Sequence, residues 1–347
     1  MPHPAPALNA IFADPETLHA AFAAGIEAML AQGTLGAFVL GCANAGNQWS
    51  LQRALGGALV AEFARLQDGL RAGRLAVANA EDLAVFERLA AWGPERLPPT
   101  ARRAAGPWRL QYNALRALRP QRHAATVPAT LRQAFNPEGF HFNKPFMDRE
   151  RLWEGRWRGH ALAAYYNKFP FADYHLLWVP HRGEGLPQYL TAETHALMIE
   201  LTRELGAGLP GFAMSFNALG AMASVNHLHF QSYVGEPLPI TASHWRHHGG
   251  ARDYPLSCEV DDRADSSWRF IESLHAANQP YHLLYTPRHV YCIPRKRQGS
   301  YAQPSWSAGL AWCEACGDLV TTTEQDYAAL TAEALTATLA GLRPGAP

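Results

Sequence analysis

The sequence predicts an α+β fold, an antiparallel sheet flanked by helices with a mostly helical layer ahead of it, and three observations lead there. Up to about residue 100, Leu, Ala, Val and Phe recur at helical spacing; from Trp108 the apolar period drops to two; and the later strand-like runs lack the strict strand–helix alternation of a parallel sheet. With 48% of its 347 residues apolar, the chain can bury a core for one large domain or two closely joined ones.

Asp14-Pro15-Glu16-Thr17 sets a capping side chain before a proline at the first helical position, and the apolar run behind it stops near Gly33, so a helix is expected. Trp49 to Leu70 and Asp82 to Trp92 carry the same spacing, and Pro94 to Pro107 collects Pro, Arg and Gly as a connection would. Trp108, Leu110 and Tyr112 then alternate with Arg109, Gln111 and Asn113, the pattern of a half-buried strand. The sheet is expected to begin there, dividing the chain into a helical region 1–107 and a sheet domain 108–345. Ala161–Lys168, Tyr174–Pro180, Gly211–Asn217, Val225–Val234, Tyr281–Tyr285 and His289–Pro294 read as strands and Thr191–Leu205 as a helix. A last helix is expected from Glu324, where Thr323-Glu324-Gln325-Asp326 resembles a capping box. One internal echo stands out, Tyr174-His175-Leu176-Leu177 against Tyr281-His282-Leu283-Leu284, too short to establish a duplication.

Thirty basic residues balance thirty acidic ones, so no chain-wide positive field exists to hold long nucleic acid, whereas a small anion needs only a local cluster. Met1-Pro2-His3-Pro4 opens no signal-like segment, and no uncharged apolar run reaches the roughly 18 residues of a membrane span. Five scattered cysteines, at 42, 258, 292, 313 and 316, fit a reducing compartment. A cytoplasmic protein with no membrane partner is expected.

The informative stretch runs from Phe216 to Gln231. If Val225 onward is a strand, its period of two sets His227, His229 and Gln231 on one face and Leu228 and Phe230 on the other, and the small residues from Gly220 to Ser224 let backbone amides approach an anion. A neutral imidazole attacks phosphorus when a carbonyl holds its other nitrogen as N–H, and His229 is placed for that, with Asn226 and His227 beside it. Gln231 donates a hydrogen bond but takes no proton, which suits an intermediate kept for transfer. Metal is the rival reading of His227-Leu228-His229. A cupin would add a Glu four or five residues later and a Gly six before, but Glu236 lies seven after His229 and Gly220 seven before His227.

Asn217-Ala218-Leu219-Gly220-Ala221 followed by Val225-Asn226-His227-Leu228-His229-Phe230-Gln231 closely resembles the signature of the GDP-hexose phosphorylases (GDP-L-galactose and GDP-D-glucose phosphorylase), in the galactose-1-phosphate uridylyltransferase branch of the histidine-triad superfamily. Asn167-Lys168-Phe169-Pro170, Tyr174 to Pro180 and Leu186-Pro187-Gln188 support the match, as do weaker blocks at Gln111-Tyr112-Asn113, Phe135-Asn136-Pro137 and Phe142-Asn143-Lys144. The resemblance covers about residues 108 to 320 and implies a histidine-triad-like antiparallel sheet, with two such halves as one arrangement. It makes His229 the nucleophile and His227 its positioning neighbour, gives Gln231 and Asn217 the phosphate oxygens, lines the nucleotide pocket with Asn167 and lets Lys168 meet a phosphate. Tyr174 stands where the family's usual residue is Gly, which would reshape that pocket.

Two basic clusters, Arg116, Arg119 and Arg122, and Arg295-Lys296-Arg297, offer contacts to phosphate or a sugar phosphate; Arg119 and Arg122, behind the strand that ends at Asn113, are the stronger pair. Cys313-Glu314-Ala315-Cys316 has zinc-ligand spacing, and some relatives bind structural zinc, but one pair does not close a tetrahedral site; no cofactor is expected otherwise. His244, His247 and His248 read as an exposed loop. The expected activity is nucleotidyl transfer through a covalent histidine intermediate, with a nucleotide sugar and inorganic phosphate or a sugar phosphate as partners. A dinucleoside polyphosphate substrate, a metal centre at His227 and His229, and a non-catalytic nucleotide-binding protein are the alternatives, and a homodimer is allowed.

Overall fold

A computed structural model describes residues 7–75, 77, 79–93, 96–118 and 127–345. The helices that open the chain are α1 (Asn9–Phe12), α2 (Pro15–Leu30), α3 (Leu35–Asn47), α4 (Trp49–Arg71) and α5 (Ala80–Trp92). Asp14 caps α2 by accepting from the Thr17 amide at 2.8 Å, as the sequence predicts. The sequence gives no signal for α3 because the helix is apolar on nearly every side and buried along its length, so no amphipathic period shows.

Strand β1 (Ala101–Ala105) pairs with β2 (Trp108–Tyr112), and α6 (Ala114–Ala117) follows. Next come β3 (Arg151–Trp157), β4 (His160–Tyr166), β5 (Leu176–Pro180), α7 (Ala192–Gly208), β6 (Phe212–Asn217) and β7 (Phe230–Val234). The chain ends through β8 (Glu259–Asp261), α8 (Ala264–Ala276), β9 (Tyr281–Tyr285), β10 (Val290–Pro294), α9 (Trp312–Ala315), β11 (Asp318–Thr321), α10 (Glu324–Ala329) and α11 (Ala332–Gly341). Eight strands form one antiparallel sheet in the order β3-β4-β5-β7-β6-β9-β10-β8, and β1-β2-β11 form a smaller one in which β11 runs parallel to β2. Arg158 and Gly159, both at positive φ, turn β3 tightly into β4. The echoed tetrapeptides lead into β5 and β9, the strands that flank the central β7–β6 pair.

Side chains alternate across the large sheet. Phe212, Met214, Phe216 and Phe230 face the helices and share a core with Leu201 and Leu205 of α7. Ala213, Tyr233 and Leu284 face the other way, onto a second core with Trp108 and Trp312. The N-terminal helices belong to the first core: the Phe12 ring lies 5.1 Å from Trp178, and Phe22 lies 4.7 Å from Tyr166, whose hydroxyl donates to the Phe22 carbonyl at 3.1 Å. Burying such side chains contributes about 2 kcal/mol each. Two corrections to the expected boundary at 107/108 follow. The strands begin at Ala101, hidden from a period argument by Arg102 and Arg103, and the helices share their core with the sheet. Among the described residues no helix is long and apolar enough to cross a membrane.

The expected strand Val225–Val234 is also shorter, with only Phe230–Val234 joining the ladder. Residues 225–229 are tied to another loop: the Leu228 amide donates to the Leu186 carbonyl at 2.8 Å, and the Gln188 side chain takes the His229 amide at 2.9 Å. That diversion builds the site.

Candidate active site

His229 leaves the sheet edge with its ring buried against Phe142, centroids 5.3 Å apart. Its Nδ1 lies 2.8 Å from the His227 carbonyl, which only accepts, so Nδ1 carries the proton and Nε2 keeps the lone pair. Burial pulls its pKa down to about 4, and the ring is neutral at pH 7. His227 is oriented oppositely: its Nδ1 accepts from the Phe142 amide at 3.1 Å, and Phe135, His141 and Phe142 surround its ring. Burial first, then the neighbouring imidazoles of His229 and His141, lower it to about 4 as well.

Gln188 fixes this backbone. Its Oε1 accepts from the His229 amide, and its Nε2 donates to the carbonyls of His229 (3.1 Å) and Asn217 (2.9 Å), closing β6's end onto the segment of His229. Asn226 steadies Gln188 in turn, accepting from its amide at 2.9 Å and donating to the Ala134 carbonyl at 2.7 Å. Nothing local in Leu186-Pro187-Gln188 signals this role. Gln188→Ala is expected to cost about 2–4 kcal/mol of stability by orphaning buried backbone groups, and to slow any chemistry at His229; urea unfolding and a rate measurement on one preparation check both.

Two amides flank His229. Gln231 Oε1 lies 2.9 Å from both His175 Nε2 and Trp312 Nε1. The indole can only donate, so the oxygen is assigned, and the amide's NH₂ points away with no acceptor among the described residues. His175 is buried, its pKa pulled to about 3 chiefly by burial, and it donates as a neutral ring. Asn217 Oδ1 lies 2.7 Å from His282 Nδ1, again leaving its NH₂ group free of protein acceptors among the described residues. The backbone amides of residues 222–227 likewise donate to no acceptor among the described residues, beside Gly220, whose φ of +78° and contact with Arg297 leave no room for a side chain.

The other candidates divide. Ser224 is exposed at this loop. Asn167 accepts from the Phe169 amide at 3.0 Å and lies against the His175 ring. Asn113 caps α6, accepting from the Arg116 amide at 2.9 Å, and does not reach the loop of His229. Lys168 turns away into an ion pair with Asp82 of α5 at 2.6 Å. Arg116 donates to the Phe169 carbonyl at 2.6 Å and stacks 4.4 Å over Phe171, whose ring touches His175. Arg119 and Arg122 lie outside the described residues. Lys296 and Arg297 bond backbone carbonyls, and Arg295 is wholly buried.

Tyr174 shows why glycine suits its position. It holds φ +48°, and its ring leaves the site for the N-terminal layer, 5.4 Å from Phe22, with its hydroxyl 3.0 Å from His19 Nδ1. The ring packs on the helical layer instead of turning toward His229's segment. Cys313 and Cys316 sit in the second core, where burial drives their thiols upward and opposes the thiolate a metal needs. Among the described residues no three His, Cys, Asp or Glu side chains are grouped to hold a metal ion.

Comparison with known proteins adds an independent line. Residues 107–233 match the family model described as GDPGP1-like, N-terminal domain. GDP-D-glucose phosphorylase 1 of Bos taurus is 32% identical over 176 residues, 48% of this chain and 41% of that one. The Macaca fascicularis protein of the same name is 36% identical over 128 residues, 35% and 33% of the two chains. GDP-L-galactose phosphorylase 1 of Arabidopsis thaliana is 36% identical over 75 residues, 21% and 16%. The chain thus spans less than half the length of these curated relatives in its matched part. Yeast Ap4A phosphorylase Apa2 superposes with a TM-score of 0.48 at 13% identity, over 78% of this chain and 98% of that one.

Proposed function

We propose, from the premise that this chain belongs through residues 107–233 to the GDPGP1-like family, that it is a nucleotidyltransferase of the phosphorylase type acting on a GDP-hexose. The observation that carries the reading is the 2.8 Å contact between the His227 carbonyl and His229 Nδ1, which makes a buried, neutral imidazole a nucleophile through Nε2. His229 Nε2 attacks the α-phosphorus; the bond to the β-phosphate oxygen breaks, and hexose 1-phosphate leaves with that electron pair. Inorganic phosphate then attacks the same phosphorus, the P–N bond breaks, and GDP departs as His229 regains its lone pair. The free NH₂ groups of Gln231 and Asn217 meet the non-bridging oxygens, whose charge grows in each transition state. Neither amide takes a proton from water, which favours phosphate over water as acceptor. Five unpaired cysteines support a place in the reducing cytoplasm.

The test is the intact mass of the protein after mixing with GDP-hexoses in phosphate-free buffer at neutral or alkaline pH. Gain of one guanylyl group (GMP less water), lost again with release of GDP on adding phosphate, is the expected result; unchanged mass with every nucleotide sugar would refute the proposal. The pH dependence is a second test. With His229 titrating near pH 4 rather than 6.5, the adduct-forming rate is expected to stay level from pH 8 down to about 5.5. A midpoint at 6.5 would show an ordinary exposed imidazole at work.

A further inference from the structure

We infer that His282 and Arg295 are positioning residues of this site, locking the Asn217 amide so that its NH₂ group, and not its oxygen, faces the anionic ligand. The inference rests on the preceding reading, that a phosphoryl group lies beside His229. Asn217 of β6 and His282 of β9 are direct partners across the ladder, so their side chains share one face of the sheet, and the Gln188 side chain ties the Asn217 carbonyl to that of His229. Arg295 Nη1 lies 3.1 Å from His282 Nε2. A guanidinium has donors and no acceptor, so Nε2 must hold the lone pair, Nδ1 must hold the proton, and the atom it meets on Asn217 at 2.7 Å must be oxygen. Each assignment forces the next, starting from the one group whose protonation is never in question.

Arg295 is an unusual anchor. It is fully buried, forms no ion pair with a described carboxylate, and gives its remaining donors to the Lys296 and Leu310 carbonyls and the Tyr301 hydroxyl. Burying a guanidinium is costly, even with the buried Glu314 carboxylate acting on it from beyond ion-pair distance, and a neutral side chain would fold more cheaply. The charge is explained if it polarises the His282–Asn217 pair toward an anion arriving at the far end.

The arrangement has a counterpart across the central strand pair, where His175, with Trp312, locks Gln231 in the same sense. The two locking histidines are the second residues of the echoed tetrapeptides, Tyr174-His175-Leu176-Leu177 and Tyr281-His282-Leu283-Leu284. Those short repeats thus place one amide-orienting imidazole on each side of β7–β6, and both amides are set as donors.

The test compares single-turnover adduct formation, read by intact mass in phosphate-free buffer, in wild type, Asn217→Ala, His282→Phe, the double variant, and His282→Asn, whose amide donates from the Nδ1 position. Asn217→Ala is expected to slow the step by about 10²-fold, the loss of one oriented donor. His282→Phe should slow it comparably, add nothing in the Asn217→Ala background, and recover about tenfold or more as His282→Asn. Full additivity of the two losses would overturn the inference, because a merely structural His282 would act whether or not Asn217 is present. If a variant fails to fold, imidazole ¹⁵N shifts of the wild-type protein decide: His282 protonated at Nδ1 supports the lock, and protonation at Nε2 overturns it. A wild-type protein that forms no adduct would fail the proposed activity, while the tautomer measurement would still judge the lock.

Discussion

His229→Ala is expected to lower turnover by about 10⁴-fold or more while leaving the fold intact. The His227 carbonyl holds Nδ1 as N–H and leaves Nε2 the lone pair that the proposed chemistry uses, and alanine cannot form the P–N bond. The stability cost is small by comparison, because the ring's one hydrogen bond among the described residues runs to its own segment and Gln188 holds the backbone of residue 229 whatever the side chain. The variant should therefore bind nucleotide, keep its circular dichroism and thermal transition, and gain no mass with GDP-hexose. Residual turnover above about a hundredth of wild type, on a rate scale where the covalent route is worth several powers of ten, would sink the nucleophile assignment.

The second large effect is on stability against acid. His175, His195, His227, His229 and His282 are all buried and neutral, with pKa values of about 3 for the first, about 4 for the next three, and well below 6.5 for His282. Their folded values lie below the unfolded value, so unfolding binds protons. Stability is fully present above pH 6.5 and is lost as pH falls toward 4. Glu314 works in the opposite sense, since burial raises it to about 7 and it takes up its proton in the folded state first. These six groups alone take up about four protons near pH 5.5 on unfolding, a slope on the order of 5 kcal/mol per pH unit, against a total stability of roughly 5–15 kcal/mol. Cooperative unfolding is expected near pH 5, and urea midpoints measured from pH 7.5 to 5 check the slope. A midpoint independent of pH over that range would mean that these imidazoles are solvated.

Legibility in the sequence followed the physical signals available. Amphipathic helices such as α2, α4 and α7 show in their apolar spacing, α2 also in its capping Asp14, and strands with clean alternation, β2 among them, do the same. Helix α3 did not, because it is buried all round; β3 did not, because its hairpin turns on Arg158 and Gly159 rather than on an Asn-Gly signal. At the site, His227, His229 and Gln231 were readable as a cluster, and so was the need for a carbonyl to set the tautomer. They do not share one strand, since Gln188 and Leu186 draw residues 225–229 out of the ladder. Lys168 read as a phosphate contact, yet its partner Asp82 lies 86 residues away, on a helix whose packing no local pattern reveals. Gln188, His282 and Trp312 act through partners distant in sequence, which is why composition and spacing passed over them.

The packing of Phe12 and Phe22 against Trp178 and Tyr166 also sets a schedule for synthesis. The helices that carry those rings emerge from the ribosome first, while the strands that cover them emerge after residue 160. At about 5–20 residues per second, their apolar faces stay open for on the order of ten seconds. A nascent chain arrested before Tyr166 should expose those faces to chaperones and to one another, whereas a chain released past Pro180 should close them.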